Sequence, residues 1–343
     1  MTQPLRILIA DDSALAREFL SDLFKGFPEV DIIGQVENGK QAVQFCKERR
    51  PDLVMMDVEM PEMDGIEATS RIMSSTPTPI LIFSSISRSS LSFKAVQAGA
   101  VEVMEKPSLK EIDTWRKDVR SFIRKLQMFS RIKVVRHLRP KHIVEDDIRE
   151  PDFERPGLVV VGASTGGPQA LNTMFSGLGQ LPFPIVVVQH MTKGFLRGLV
   201  TWIESNCHAK VVIAEDGMVL CNGTIYFAPE DFFTLLSAPR QLRVTRDLPK
   251  WTEHRPCVNY LFQSAAKIRP ADTLGILLTG MGKDGAEGLL ELKRAGGRTV
   301  TQDEASCMIY GMPREAEQLG ASDRCLSPVE LNRHLANCAG GKA

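Results

Sequence analysis

The chain has 343 residues, of which 24% are charged and 43% hydrophobic, proportions typical of a globular protein with sizeable cores. Lysine and arginine number 42, as do aspartate and glutamate, so the totals give no basic excess of the kind that binds nucleic acid. No apolar run approaches the roughly 20 residues that span a bilayer, and the first residues lack a signal-peptide pattern. Seven scattered cysteines without a C-x-x-C pair favour reduced thiols over a disulfide framework or a zinc site. We therefore expect a cytoplasmic protein of two domains without membrane insertion.

Short apolar runs alternate with helical patterns through residues 1–128. Each run has the length of a strand, and most are rich in isoleucine, valine or leucine, as expected for parallel strands covered on both faces. Apolar residues at helical spacing, such as Leu15, Phe19 and Leu23, predict helices between the runs. Five strand–helix units predict a doubly wound parallel sheet, an α/β fold. The runs are residues 5–10, 32–36, 53–56, 80–83 and 101–105, and the last helix has a stripe of Ile112, Trp115, Val119, Phe122, Ile123 and Leu126.

Residues 129–156 interrupt this alternation. Five basic and no acidic side chains occur in residues 131–141, whereas residues 145–154 contain six acids and one arginine. Prolines at positions 140, 151 and 156 interrupt any helix there. The segment is predicted to be a linker, either a solvated tether or a hinge between two domains.

The strand–helix alternation resumes in residues 157–343, which predicts a second α/β domain with a parallel sheet. The loops that follow residues 161, 189 and 278 contain the candidate reactive residues. All three loops lie at carboxyl ends of predicted strands, the edge where ligands bind in open α/β sheets. The strand candidates are residues 158–161, 185–189, 211–214, 225–227, 274–278 and 298–301.

Acidic residues follow two strands of the first domain. Asp11 and Asp12 come after the first run and Asp57 after the third, so three carboxylates are expected to converge at one edge. Such carboxylates need a shared cation, and a small set of oxygen ligands suits Mg²⁺. Ser84 and Lys106 follow the fourth and fifth runs and add a hydroxyl and a positive charge. The set predicts a phosphoryl-transfer site with a carboxylate nucleophile.

These residues resemble the receiver domain of response regulators, over residues 4–125. Val103 stands where many receivers have an aromatic switch residue, which argues against aromatic coupling to Ser84 and leaves loop movement as an alternative route for the signal. The residues that carry the resemblance are Asp11-Asp12, Asp57 with Met60-Pro61 and Asp64-Gly65, Ser84, and Lys106-Pro107. The resemblance implies that Asp57 is the phosphoacceptor, that Asp12, Asp57 and the Glu59 carbonyl bind Mg²⁺ with support from Asp11, and that Ser84 and Lys106 hold the phosphoryl group.

A G-x-S-x-G pattern in residues 162–166 follows the first strand of the second domain. At a strand-to-helix turn it can present the Ser164 hydroxyl as a nucleophile, although glycine–serine loops also cap helices or hold phosphate. Because Ser164 occupies the second glycine position of G-x-G-x-x-G, a dinucleotide site is the lesser alternative.

A serine nucleophile needs a base and an orienting acid. His190 is the one histidine of six that follows a predicted strand; His137 and His142 lie in the linker, while His208, His254 and His334 lie in polar surroundings. Asp284 lies in a glycine-rich loop after residues 274–278, where it could orient His190 or simply cap the helix that starts near Ala286. Asp303 is a competing acid after a later strand and ranks below Asp284.

Together these segments resemble the chemotaxis-type protein-glutamate methylesterases, the CheB family. The segments are residues 162–168, 189–191, 279–285, 302–306 and 311–313, in a likeness that covers residues 157–338. The resemblance implies a Ser164–His190–Asp284 triad, an oxyanion hole to which the Met281 backbone N–H contributes, and no cofactor in the esterase site.

The same resemblance implies hydrolysis of glutamyl methyl esters on chemoreceptors, with methanol released, in chemosensory adaptation. Phosphorylation by a chemotaxis-type histidine kinase would activate the enzyme, and the unphosphorylated receiver would cover the esterase site. Deamidation of receptor glutamines is a plausible second reaction. The alternatives are a receiver on a degenerate esterase that acts as a scaffold and, less favoured, a DNA-binding regulator.

Overall fold

The computed structural model describes residues 3–84, 89–107, 112–132, 155–247 and 255–338. The chain divides into two compact units, Met1–Glu145 and Asp146–Ala343. Most of the predicted linker, residues 133–154, lies outside the described residues, and its first two residues belong to a helix that ends at Ser130. No helix in the described ranges is long and apolar enough to cross a membrane.

The first unit is a doubly wound α/β domain, as predicted. Its five strands are all parallel, in the order β2-β1-β3-β4-β5. The strand order reverses between β1 and β3, so the loops after these strands flank a switch point where ligands bind. The elements are β1 Leu5–Ala10, α1 Ala14–Phe24, β2 Val30–Val36, α2 Gly39–Arg49, β3 Leu53–Met56, α3 Gly65–Ser75, β4 Ile80–Ser84, α4 Ser89–Gln97, β5 Glu102–Glu105 and α5 Ile112–Ser130.

The helices differ in how well their apolar spacing predicts the buried face. The stripe of α5 is buried at Val119, Phe122, Ile123 and Leu126, while the side chain of Ile112 lies outside the described part. In α1 the expected face is wrong in part: Leu23 is buried as expected, but Leu15 is 69% exposed, Phe19 is half-buried, and Leu20 and Phe24 complete the buried face. A spacing of four drifts around the helix, whereas residues at i, i+3 and i+4 share one face.

The second unit contains a seven-stranded parallel sheet in the order β14-β13-β12-β6-β7-β9-β8 and a two-stranded antiparallel sheet of β10 and β11. The chain enters at the central strand β6, continues to β7 on one side and later returns to β12 on the other. The loops after β6, β7 and β12 therefore meet at a switch point. The elements are β6 Leu158–Ala163, α6 Gly167–Phe175, β7 Ile185–Gln189, α7 Leu196–Asn206, β8 Lys210–Ile213, β9 Thr224–Phe227, β10 Phe233–Ala238, β11 Gln241–Thr245, α8 Val258–Ile268, β12 Thr273–Leu277, α9 Ala286–Arg294, β13 Arg298–Gln302, α10 Met312–Gln318, β14 Arg324–Leu326 and α11 Pro328–Cys338.

Candidate catalytic site and acidic pocket

The three carboxylates of the first unit lie together at the ends of β1 and β3. Oxygen atoms of Asp11, Asp12 and Asp57 are within 4.8 Å of one another, with Asp11 and Asp57 buried and Asp12 exposed. Lys106 Nζ lies 2.7 Å from Asp11 Oδ2 and 2.8 Å from Asp57 Oδ2. One ammonium group therefore serves two buried carboxylates.

The electrostatics of this acidic pocket favour a further cation. Burial raises the pKa of Asp11, Lys106 offsets part of that effect, and the charge of Asp57 raises the pKa again. Ser84 Oγ, at the end of β4, is buried and has no hydrogen-bond partner among the described residues, as expected for a hydroxyl that meets a bound group. Hard oxygen donors in this number fit Mg²⁺.

The turn after β3 shapes the same pocket. Asp57 Oδ1 accepts a hydrogen bond from the Val58 N–H at 2.7 Å. A Cβ on Gly65 would overlap the Asp57 carbonyl oxygen. Helix α3 can therefore begin this close to Asp57 only because residue 65 is glycine. Glu59 lies in the loop between, with an exposed side chain. Val103, on β5, is buried and pairs with Ile82.

In the second unit, Ser164 occupies the turn between β6 and α6. Its side chain is half-buried. Its backbone N–H donates a hydrogen bond of 3.0 Å to the Thr279 carbonyl. Gly166 has a φ of +79°, which completes the sharp turn. A Cβ on Gly280 would lie 2.6 Å from Ser164 Cβ, so the loop after β12 approaches the serine closely only because it has glycine there.

His190 lies beside this turn at the end of the neighbouring strand. Ala163 and Gln189 are register partners, and the His190 N–H donates to the Ala163 carbonyl at 2.9 Å. Ser164 and His190 are the next residues along their two strands. The pairing of β6 with β7 therefore brings them side by side.

Asp284 makes a direct contact with the histidine. His190 Nε2 lies 2.9 Å from Asp284 Oδ2, and both side chains are largely buried. The first turn of α8 also holds the carboxylate, since the N–H groups of Val258 and Asn259 donate to it at 2.7 and 2.9 Å. Cys257 Sγ lies 3.3 Å from Asp284 Oδ1.

The ionisation of Asp284 follows from these contacts. Burial alone would raise the pKa of Asp284, but His190 and the N–H groups of Asn259 and Val258 lower this pKa below its usual value of 3.8. Burial, followed by the charge of Asp284, raises the pKa of the Cys257 thiol to about 12. Asp284 is thus a fixed anion against the imidazole, and Cys257 is a neutral donor.

The alternative role of Asp284, a cap for the helix near Ala286, is wrong. That helix, α9, is capped by Asn259 Oδ1, which accepts from the N–H groups of Gly285 and Gly288 at 3.0 and 2.7 Å. The competing acid Asp303 is engaged elsewhere, because its carboxylate accepts the Ser306 N–H at 2.7 Å.

The loop that contains Met281 lies against a second backbone segment. The Met281 side chain is 43% exposed, and the next residue, Gly282, has a φ of +87°. A Cβ on Gly311 would lie 3.3 Å from Met281 Cα, so the two segments touch through main chain. This packing fixes the backbone of Met281 and leaves its side chain at the surface.

Several residues that support the site were missed by sequence reasoning. Thr279 Oγ1 donates to the Thr165 carbonyl at 3.0 Å and accepts the Ile309 N–H at 2.9 Å, and its own N–H donates to Gln302 Oε1 at 2.8 Å. Thr279 and Gln302 lie inside the segments that carry the resemblance to the CheB family and could have been singled out from the sequence. Cys257 and Asn259 lie outside every one of these segments and gave no signal.

The expectation for His334 was wrong. It is 3% exposed on α11, and burial, with nearby Arg298 and Arg324, lowers its pKa to about 4. His208 is exposed as expected, whereas His137, His142 and His254 lie outside the described residues.

Two known protein families match successive parts of the chain. The CheB methylesterase family model matches residues 159–335, and the response regulator receiver domain model matches residues 7–114. The chain belongs to the CheB methylesterase family. A protein-glutamate methylesterase/protein-glutamine glutaminase of Methanospirillum hungatei is 38% identical over 96% of this chain and 97% of its own. One of Myxococcus xanthus is 38% identical over 90% of both chains. The crystal structure of the Thermotoga maritima CheB methylesterase catalytic domain covers 53% of this chain and 98% of its own, with 35% identity and a TM-score of 0.51.

Proposed function

We propose that this chain is a protein-glutamate methylesterase that hydrolyses glutamyl methyl esters on chemoreceptors and is activated by phosphorylation of Asp57. The observation that carries the esterase half is the 2.9 Å contact of His190 with Asp284 beside the Ser164 turn. Relatives that match nearly the whole chain are named protein-glutamate methylesterase/protein-glutamine glutaminase, which supports it. The receiver match supports phosphorylation control.

In the first half of the reaction, Ser164 Oγ attacks the ester carbonyl carbon while His190 takes the hydroxyl proton. Asp284 holds the imidazole through Nε2 and stabilises its cationic form. The Met281 N–H donates to the oxyanion that develops on the carbonyl oxygen. The carbon–oxygen bond to methanol then breaks, His190 returns the proton to the leaving group, and a glutamyl ester of Ser164 remains.

In the second half, His190 takes a proton from water as the water attacks this glutamyl ester. The bond to Ser164 Oγ breaks, Ser164 recovers its proton from His190, and free glutamate leaves. An amide can follow the same route with ammonia as the leaving group, so we extend the proposal to deamidation of receptor glutamines. Ammonia leaves less readily than methanol, and the amide reaction is therefore the slower of the two.

Asp57 is the phosphoacceptor in this proposal. One of its carboxylate oxygens bonds to phosphorus as the phosphorus–nitrogen bond of a phosphohistidine on a sensor kinase breaks. Lys106 and the hydroxyl of Ser84 bind oxygens of the transferred group. Mg²⁺ would be held by Asp12, Asp57 and the Glu59 carbonyl, with Asp11 in support, and would neutralise charge on the phosphoryl oxygens.

We place the protein in the cytoplasm, where its seven free thiols suit a reducing compartment. The proposed partners are methyl-accepting chemoreceptors as substrate and a chemotaxis-type histidine kinase as phosphodonor. The second candidate function is a scaffold without turnover. The cradle of donors around Asp284 argues against it, because a binding module has no need of a buried, oriented carboxylate on an imidazole.

The test is methanol release from methylated receptor membranes, with and without a small phosphodonor and Mg²⁺. Release should require Ser164, increase with the phosphodonor, and keep its basal value but lose the increase in Asp57→Asn. Release that continues in Ser164→Ala contradicts the triad. Stimulation that persists in Asp57→Asn contradicts the phosphoacceptor, and no release from any methylated receptor favours the scaffold.

A further inference from the structure

Gln189 joins the two turns that contain the proposed nucleophile and base. It is the last residue of β7, and its side chain is 3% exposed. The Nε2 amide group donates to the Ser164 carbonyl at 2.8 Å and to the His190 carbonyl at 2.7 Å. One buried side chain thus bridges the main chain of both residues.

The backbone of Ser164 is held from three directions. Its N–H donates to the Thr279 carbonyl at 3.0 Å, and its carbonyl accepts from the Gly167 N–H at 2.8 Å as well as from Gln189. The bond to Gly167 is local to the turn, and the bond to Thr279 reaches toward β12. Gln189 is therefore the side chain that ties the turn of Ser164 to the β7 side, where His190 lies.

The other end of the Gln189 amide shows why its orientation is fixed. Oε1 is buried with no hydrogen-bond partner among the described residues, which costs free energy. Turning the amide over gives no relief, because Oε1 would then face two carbonyl oxygens. A Cβ on residue 167 would overlap Oε1, so Gly167 also leaves room for this orientation. The two donated bonds therefore fix this orientation of the amide.

We propose that Gln189 is a positioning residue that sets the distance between Ser164 and His190 for attack on the ester. This inference rests on the proposed function, because it assigns Ser164 and His190 their roles. Gln189 touches no reacting atom and acts through the main chain. The hydrogen bonds of Gln189 matter when the Ser164 hydroxyl attacks, not when substrate binds. Removing them should therefore lower kcat and leave KM nearly unchanged.

The test compares two replacements of Gln189 with a matched control in the full-length protein. Gln189→Met keeps the length of the side chain and removes both donated bonds. Asn332→Leu removes the same kind of bridge elsewhere, since Asn332 Nδ2 donates to the Met174 carbonyl at 3.0 Å and to the Ser176 carbonyl at 2.9 Å. Methanol release should show kcat lowered about 10- to 100-fold in Gln189→Met, with KM and the control variant within about twofold of wild type.

Gln189→Glu separates positioning from packing by its pH dependence. A neutral carboxylic acid can donate one of the two bonds, and a carboxylate can donate neither. The activity of this variant relative to wild type should therefore increase as the pH falls, while the ratio for Gln189→Met stays flat. Three outcomes overturn the proposal. They are a pH-independent activity of Gln189→Glu relative to wild type, a change of KM rather than kcat in the Gln189 variants, and a kcat loss in Asn332→Leu equal to that in Gln189→Met.

A fluorophosphonate probe makes the result independent of the receptor substrate. Ser164 Oγ bonds to its phosphorus as fluoride leaves, and His190 takes the hydroxyl proton. The labelling rate should fall in the Gln189 variants as kcat does, and equal rates in Gln189→Met and wild type overturn the proposal. If wild type is labelled at Ser164 but releases no methanol, the proposed substrate fails, and the labelling rates still decide the role of Gln189.

Discussion

Replacing Asp284 with asparagine tests the esterase site most directly, because the two side chains have nearly the same shape. The carboxylate accepts from His190 and Val258 on one oxygen and from Asn259 on the other, with Cys257 close by. An asparagine side chain has one oxygen for these donors. Whichever way the amide turns, its NH₂ group faces a backbone N–H of α8 that then loses its acceptor.

The cost to stability follows from that lost acceptor. A buried N–H without a partner destabilises by about 1–3 kcal/mol, and each kcal/mol lowers the melting temperature of a domain of this size by about 2–4 °C. The pKa of Asp284 is lowered in the folded state, so the carboxylate stabilises the fold above pH 3.8 and loses this effect as the pH falls through the folded pKa. The difference in unfolding free energy between Asp284→Asn and wild type should therefore be full at neutral pH and shrink in acid.

The cost to catalysis is larger. The substitution removes the negative charge 2.9 Å from the imidazole, which in the proposed mechanism becomes cationic as Ser164 loses its proton. In Ser-His-Asp triads the aspartate-to-asparagine change lowers kcat by about 10⁴-fold, or about 5.4 kcal/mol. We expect a loss of this order in methanol release from methylated receptor membranes.

Asp303→Asn is the matched control, because Asp303 is the competing acid and its carboxylate accepts the N–H of nearby Ser306. Its kcat should stay within about tenfold of wild type, the effect of a bond worth about 1 kcal/mol. Activity above about a tenth of wild type in Asp284→Asn, or an equal loss in Asp303→Asn, would refute the assignment of the orienting acid.

Three further substitutions follow from named contacts. Cys257→Ala should lower kcat by less than about tenfold, since it removes one weak hydrogen-bond donor to Asp284 worth about 1 kcal/mol. A kcat loss as large as that of Asp284→Asn contradicts a supporting role for Cys257. Gly280→Ala should abolish most methanol release because its Cβ would lie 2.6 Å from Ser164 Cβ, whereas Gly179→Ala, with no atom within 4 Å of the added Cβ, should be neutral. In His334→Leu, the free energy of unfolding should fall less between pH 6.5 and pH 4 than in wild type, by up to roughly 3 kcal/mol in urea unfolding. The reason is that the pKa of His334 is about 4 in the folded state, so the unfolded chain binds this proton first as the pH falls. An unchanged pH dependence refutes the assignment of His334 as a buried, neutral histidine.

The parts of both sites that lie at strand ends could be predicted from the sequence. Ser164, His190 and Asp57 each follow a short apolar run that is a strand in the structure. A parallel sheet brings the carboxyl ends of its strands to one edge, so residues far apart in the chain must meet there. The fold class, the sheet type and the placement of the candidate reactive groups follow from this rule.

The partners of those groups could not be predicted in the same way. Asp284 is held by residues 257–259, more than 20 positions earlier, at the N-terminus of a helix whose docking depends on tertiary packing. The glycine-rich loop around Asp284 fits a helix cap equally well, and only the contact of Asn259 with α9 excludes that role.

Regular structure with weak local patterns was missed for a related reason. The hairpin of β10 and β11 turns through Pro239 and Arg240, without the Asn-Gly or Gly-containing pair that marks such turns. Strand β14 has only three residues, two of them exposed. His334 was placed in polar surroundings because its neighbours in sequence are polar, while its own side chain faces the core. In each case packing, rather than the local pattern, decides the outcome.

The two sites use buried carboxylates in opposite ways, and the number of donors explains the difference. Asp284 receives three N–H groups, which lower its pKa despite burial and make it a permanent anion. Asp11 and Asp57 share the ammonium group of Lys106 and each accept one backbone N–H, from Ser13 and Val58, and burial raises the pKa of Asp11. Asp284 therefore has its compensating donors within the fold, as an orienting acid in the proposed triad requires. The acidic pocket compensates its carboxylates less fully, so its charge balance depends on what binds there, as a phosphorylation switch requires.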